Sequence, residues 1–348
     1  MTTLHPTADA ALAELTTLLG TAPSPGLTRL VDAVMAYGLP LGYDRLAGSP
    51  TGMATVGPDG IVVTLADVPL DEGVVAHELA HALLEMRGWP TLFAAEDPQY
   101  WVGRLQRTLA SVLEHPAGIA LQREYGIDGE AYETLLLERQ LAAVQLANAK
   151  RKVLDTLAMT IEQELEYGIG LALMSVERYW RRDGQVEADF INALDLFPGA
   201  RSLFTTLADL SPGKAPTEGW PARFLMGRIV SLLDDYMEIK GDVRPMMVLS
   251  HFVPAVHPDD ALAPMKDVAR VVIQSLPTAA AGEHSIFVLP ARDGLPFGFR
   301  QTFADETAQQ DFTDRIAGAP FAAFGRAVVP DAFRLWVPDG DPVMPTAG

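Results

Sequence analysis

The chain has 348 residues, 49% of them hydrophobic and 20% charged. That composition supports one large core or two ordinary ones at about 150 residues per domain, and it excludes wholesale disorder. Acidic residues outnumber basic ones 45 to 26, for a formal charge of −19; such a field repels phosphate backbones and anionic membrane surfaces, so nucleic acid and membrane are not expected partners. With no cysteine, disulfides, iron–sulfur clusters, thiolate zinc sites and cysteine nucleophiles are excluded.

The N-terminal segment lacks the basic and continuous apolar regions of a signal peptide. No uncharged apolar run approaches the roughly 18 residues of a membrane span. The expectation is a soluble cytoplasmic protein.

Leu12, Leu15, Leu18 and Leu19 predict a helix over 8–20, ended by a Pro- and Gly-rich break. Leu27, Leu30, Val31 and Val34 predict a second over 27–37. Gly57-Pro58-Asp59-Gly60 is a turn signal between two short strands, Met53–Val56 and Ile61–Leu65. Asp71 is placed to cap a helix whose apolar pattern runs from Val74 to Met86 and closes at Gly88 and Pro90. The next helix is predicted over 98–114, because His115 precedes Pro116 and pre-proline residues avoid the α region. Residues 129–182 read as one very long helix or, preferably, as two broken near Gly168 or Gly170. Two shorter helices follow at 200–210 and 222–239.

Beyond Gly241 the texture changes. Strands are expected at Met246–Val253, Ser285–Leu289 and Leu295–Phe303, with helices at 263–275 and 305–316. The expected division is residues 1–240 and a smaller α/β unit over 241–348.

Residues 77–81 carry the chemistry: His77-Glu78-Leu79-Ala80-His81. Histidines at i and i+4 lie on one helix face and can reach one cation. Glu78 projects beside that cation, where it can take a proton from a bound water. The chain holds seven histidines, and chance would give this pattern in roughly one such chain in a hundred. The flanks Val74-Val75-Ala76 and Ala82-Leu83-Leu84 are apolar, so packing alone does not account for three buried polar side chains.

The segment from Val74 to Leu84 resembles the active-site helix of the zincin metallopeptidases. The resemblance covers about 55 residues, from Ile61 to Glu114, and extends to no named peptidase family. The element pattern along the chain gives the expected fold class as α+β, mostly helical with a small sheet. The resemblance implies zinc held by His77 and His81, Glu78 as general base, and a peptide or protein substrate. In zincins a sheet edge strand upstream of this helix takes the substrate in extended form, and Ile61–Leu65 stands in that place. Arg87 occupies the position where the metzincin branch has a third histidine, which excludes that branch. The branch with a later glutamate remains, and Glu114, 33 residues after His81, fits it best. An acid at a helix C-terminus opposes the macrodipole unless a cation compensates. His115 is the direct rival, since imidazole also suits zinc.

The resemblance departs at Gly118, where gluzincins of the best-known type place an aspartate that orients a zinc-bound histidine. The orienting group must come from elsewhere. Tyr100, Tyr125, Tyr132 and Tyr167 are candidates for oxyanion stabilisation by residue type alone. Glu162, Glu164 and Glu166 read as a solvated face, and His251, His257 and His284 as structural. The expectation is therefore a zinc metallopeptidase of the gluzincin type. The competing reading is a zincin-derived regulatory or protein-binding module whose metal is structural.

Overall fold

The computed structural model describes residues 2–45, 47, 52–57, 59–65, 70–90, 92–94, 100–154, 160–197, 199–211, 216, 219–241, 250–252, 255–256, 258–275, 282–292, 297–328 and 334–335. It is α+β and mostly helical, with two separate hydrophobic clusters. No helix among these residues is long and apolar enough to cross a membrane.

Helices α1 (Ala8–Leu19) and α2 (Pro25–Met35) are capped by Thr7 and Ser24, whose side chains accept from Ala10 N and Leu27 N. They lead into β1 (Leu41–Arg45), β2 (Met53–Gly57) and β3 (Gly60–Leu65). The sheet order is β1-β3-β2, with β1 parallel and β2 antiparallel to β3. This corrects one expectation. Ile61–Leu65 is the central strand, its backbone groups shared with both neighbours, so it cannot accept a further strand. The edge beside the helix that follows is β2.

That helix, α3 (Glu72–Met86), begins where Asp71 Oδ1 accepts from Val74 N at 2.9 Å, and Gly88 closes it at φ 75°. Nearly every side chain on α3 is buried, the pattern of a helix covered on all sides. After β4 (Leu92–Ala94) comes α4, which spans Tyr100–Glu124 with Pro116 inside it. The sequence predicts an end at Glu114, and the structure overrules it. An interior proline costs roughly 3 kcal/mol. Val112, Leu113, Ile119 and Leu121 are all at most 1% exposed, and each such side chain contributes about 1.5–3 kcal/mol on burial. Packing on both sides of Pro116 outweighs its local preference.

Helices α3 and α4 run antiparallel. Gln122 donates to the carbonyl of Gly73 near one end of α3 at 3.1 Å, and Gly118 faces Ala80 in the middle. A Cβ on Gly118 would lie 3.7 Å from that of Ala80, so two small residues let the axes come close.

Helices α5 (Glu130–Leu154) and α6 (Ile161–Arg181) follow. The expected break near Gly168 or Gly170 is absent. Both glycines lie inside α6, where a Cβ on Gly168 would meet Phe197 and Ala200 at 3.5 and 3.7 Å. The new start is a reciprocal cap: Thr160 Oγ1 accepts from Gln163 N, and Gln163 Oε1 accepts from Thr160 N. Helices α7 (Ala188–Leu194), α8 (Ala200–Ala208) and α9 (Gly219–Gly241) complete the first cluster.

The C-terminal part holds β5 (Ser250–Phe252), paired with β4, and β6 (Ala255–Val256). Then come the short helices α10 (Pro258–Ala261) and α11 (Met265–Val268). Strands β7 (Ala269–Ser275), β8 (Glu283–Pro290) and β9 (Phe297–Thr302) form an antiparallel meander. Helices α12 (Glu306–Gly318) and α13 (Phe321–Val328) follow, and β10 (Arg334–Leu335) pairs with β6. The helix expected over 263–275 is mostly strand β7, because Val271-Val272-Ile273 is β-branched and finds a partner in β8. The antiparallel sheet makes this unit α+β rather than α/β. Residues 246–249 and 253 of the expected strand at Met246–Val253 lie outside the described residues.

Candidate metal centre

The antiparallel crossing of α3 and α4 decides which side chains meet. His77 and His81 stand one turn apart on α3, their Nε2 atoms 2.9 Å from each other. On α4, His115 faces them, with ring centroids 5.3 and 5.5 Å from those of His77 and His81. Among the described residues, the group that gathers three donor atoms within 4.8 Å is His77, His81 and His115. Zinc–nitrogen bonds of about 2.0–2.1 Å set donors about 3.3 Å apart around a tetrahedral ion. The His77–His81 separation of 2.9 Å is close to that value, and neutral imidazoles suit zinc chemically.

Glu114 also reaches this place, on another side of the ring: its Oε2 lies 3.5 Å from His81 Nδ1, not on the Nε2 side that faces His77. Helix α4 does not end there, so the macrodipole gives no reason for a cation beside Glu114.

Behind His115 stands a buried polar network that the sequence reading did not find. His115 Nδ1 lies 3.0 Å from Glu177 Oε1 on α6. Gln140 on α5 donates to Glu177 Oε2 at 2.9 Å, and Arg181 donates to Gln140 Oε1 at 2.9 Å. All three supporting side chains are buried. A signal did exist. Glu177, Arg178 and Arg181 interrupt a helix whose other turns, from Ile169 to Val176, are apolar; charges inside such a stretch need partners. Arg178 uses its own charge on Glu187.

Electrostatics sort the groups. Burial holds His77 well below the usual histidine range, and the neighbouring His81, His115 and Arg181 push the same way. Burial, with His115 adding to it, lowers His81 to about 3. Both rings are therefore neutral, the form that binds a metal. Burial raises Glu78 to about 7 against the opposing pull of His115. It raises Glu114 to about 7 as well, with Glu85 adding to the rise and His115 opposing it. For His115, burial works downward, but the Glu177 carboxylate outweighs it and the net shift is upward.

These groups line a cavity of about 470 Å³ whose walls also include Gly52, which lies just before β2, and Met53 and Ala54 of the β2 edge, together with Trp89, Leu136 and Arg139. The volume falls within the range of small-ligand and active-site clefts. Tyr125 and Tyr167 do not line it; Tyr167 packs on Phe197 instead. The side chains of Tyr100 and Tyr132 lie outside the described residues. Glu164 pairs with Arg151 at 3.3 Å, and His284 Nδ1 lies 3.0 Å from the carbonyl of Gly282. The side chains of Glu162, His251 and His257 lie outside the described residues.

Comparison with known proteins finds no family model, no curated protein and no solved structure that matches this chain.

Proposed function

We propose that the protein is a zinc-dependent metallopeptidase in which His77, His81 and His115 hold the metal and Glu78 is the general base. One observation carries this reading: three imidazoles converge on one wall of an open cavity, with a buried carboxyl next to them. His115 here takes the third place that sequence reasoning gave first to Glu114. Glu114 becomes the group that orients His81 through Nδ1, as Glu177 orients His115.

When bound, zinc supplies Lewis acidity, making a water acidic near neutral pH and polarising a carbonyl. Glu78 accepts a proton at its carboxylate and later hands it to the leaving amine. In the metal-free protein burial raises Glu78 to about 7; a cation beside it would favour the carboxylate, the form that accepts the proton. Three protein donors facing a cavity leave a fourth position for substrate, whereas a structural zinc site fills that position with protein. An extended peptide added to the β2 edge would run past Met53 and Ala54 and cross the mouth of the site.

The test is zinc analysis of protein purified without chelator, then incubation with a peptide library read by mass spectrometry. One zinc per chain and cleavage abolished by chelator are expected. A chain without zinc that cleaves nothing after zinc is added would overturn the proposal.

A further inference from the structure

We infer that Gly52 is a positioning residue for Glu78: the space its missing side chain leaves is the space the Glu78 carboxyl occupies. The role of Glu78 as base belongs to the proposal above; its placement by Gly52 stands on geometry.

A Cβ built on Gly52 would lie 2.4 Å from Glu78 Oε1, 2.6 Å from Cδ and 2.9 Å from Cγ. All three separations are below the 3.0 Å that real Cβ contacts essentially never breach, and all three atoms belong to one side chain. Backbone freedom does not explain this glycine. It is absent from the positive-φ residues. Gly20 and Gly38, by contrast, have φ of 71° and 80° with nothing within 4 Å of a built Cβ, and so serve as turn glycines. Gly52 immediately precedes β2, whose Met53 and Ala54 line the same cavity as the three histidines. The start of this strand therefore presses bare backbone on the Glu78 side chain, which is 3% exposed, and holds it against the histidine wall.

The obstructing atoms are the end of a flexible side chain. Gly52→Ala is therefore accommodated by moving Glu78 rather than by unfolding. The variant should keep the fold and the metal and lose the alignment of the base, for which a misplacement of about 1 Å costs about 100-fold.

The test compares zinc-loaded full-length wild type and Gly52→Ala by crystallography, zinc content and steady-state hydrolysis of a library-derived peptide. Expected are one zinc in each, a Glu78 carboxyl displaced by about 1 Å or more, kcat reduced about 100-fold and KM changed less than about twofold. Gly52→Ala should add no further loss in a Glu78→Gln background. An unmoved Glu78, or loss of zinc, overturns the inference. If wild type cleaves no peptide, the peptidase proposal fails, and the position of Glu78 in the two crystal structures still decides the role of Gly52. If Gly52→Ala does not fold, Gly52→Ala/Glu78→Ala should fold and melt like Glu78→Ala, since the clash is gone; a double variant that is equally unfolded overturns the inference.

Discussion

His115 Nδ1 and Glu177 Oε1 lie 3.0 Å apart although 62 residues separate them in the chain. The contact fixes which ring nitrogen of His115 faces inward. With Nδ1 held by the carboxylate, Nε2 is left for the space shared with His77 and His81. Gln140 and Arg181 hold Glu177 in turn, so three side chains from α5 and α6 set one imidazole on α4.

From this follows a ranking of metal-site variants. His77→Ala, His81→Ala and His115→Ala should each lose zinc under conditions where wild type keeps it. Glu114→Ala and Glu177→Gln should retain zinc with affinity weakened about 10–100-fold, the usual effect of an orienting group. Competition with a fluorescent chelator measures all five. Loss of zinc in Glu114→Ala together with full retention in His115→Ala would restore Glu114 as the ligand.

The His115–Glu177 pair has a pH signature in the metal-free protein. The folded pKa of His115 is raised above its unfolded value. The stability from that shift is fully present below the unfolded pKa of about 6.5 and is lost as pH rises through the folded pKa. Glu177→Gln should therefore destabilise the metal-free chain more near pH 6 than near pH 9. Zinc requires the neutral ring, so wild-type zinc affinity should rise with pH through the same interval, and Glu177→Gln should move that rise to lower pH. Urea unfolding and zinc titration at several pH values check both halves. A Glu177→Gln penalty that does not depend on pH would contradict them.

Glu78→Gln should bind one zinc, keep the fold and lose hydrolysis by about 10²–10⁴-fold, because the amide fills the same volume but cannot accept the proton. Wild type, variant and chelated wild type are compared on the peptide library. Equal cleavage by wild type and variant would remove Glu78 from the mechanism.

The crossing of α3 and α4 is testable through Gly118. A Cβ there would make an ordinary contact at 3.7 Å with Ala80. Gly118→Ala should thus stabilise the protein by about 0.5–1 kcal/mol, the helix-interior gain over glycine. Gly118→Leu should force the helices apart, destabilise the fold and weaken zinc binding, since His115 lies less than one turn away on the same helix. Chemical denaturation and zinc titration separate the outcomes. Destabilisation by alanine comparable with that by leucine would mean that the crossing is not set at this residue.

The sequence by itself determined the helix that carries His77, Glu78 and His81. The Asp71 cap, the apolar run and the i, i+4 histidines are local features, and local hydrogen bonding with helical periodicity fixes them wherever the helix lies. The β2–β3 turn was equally legible, because Gly57-Pro58-Asp59-Gly60 permits little else. Only the tertiary structure decided what completes the site. Pro116 signals a helix end by local sterics, yet the buried side chains on both sides of it carry α4 through, and that continuation sets where Glu114 and His115 point. Whether Ile61–Leu65 is an edge or a centre depends on β1, a strand that pairs with it from 20 residues upstream. Glu177, Gln140 and Arg181 reach His115 only because α5 and α6 pack beside α4. Contacts between residues distant in sequence follow from how buried surfaces fit together, and no spacing along the chain encodes that fit.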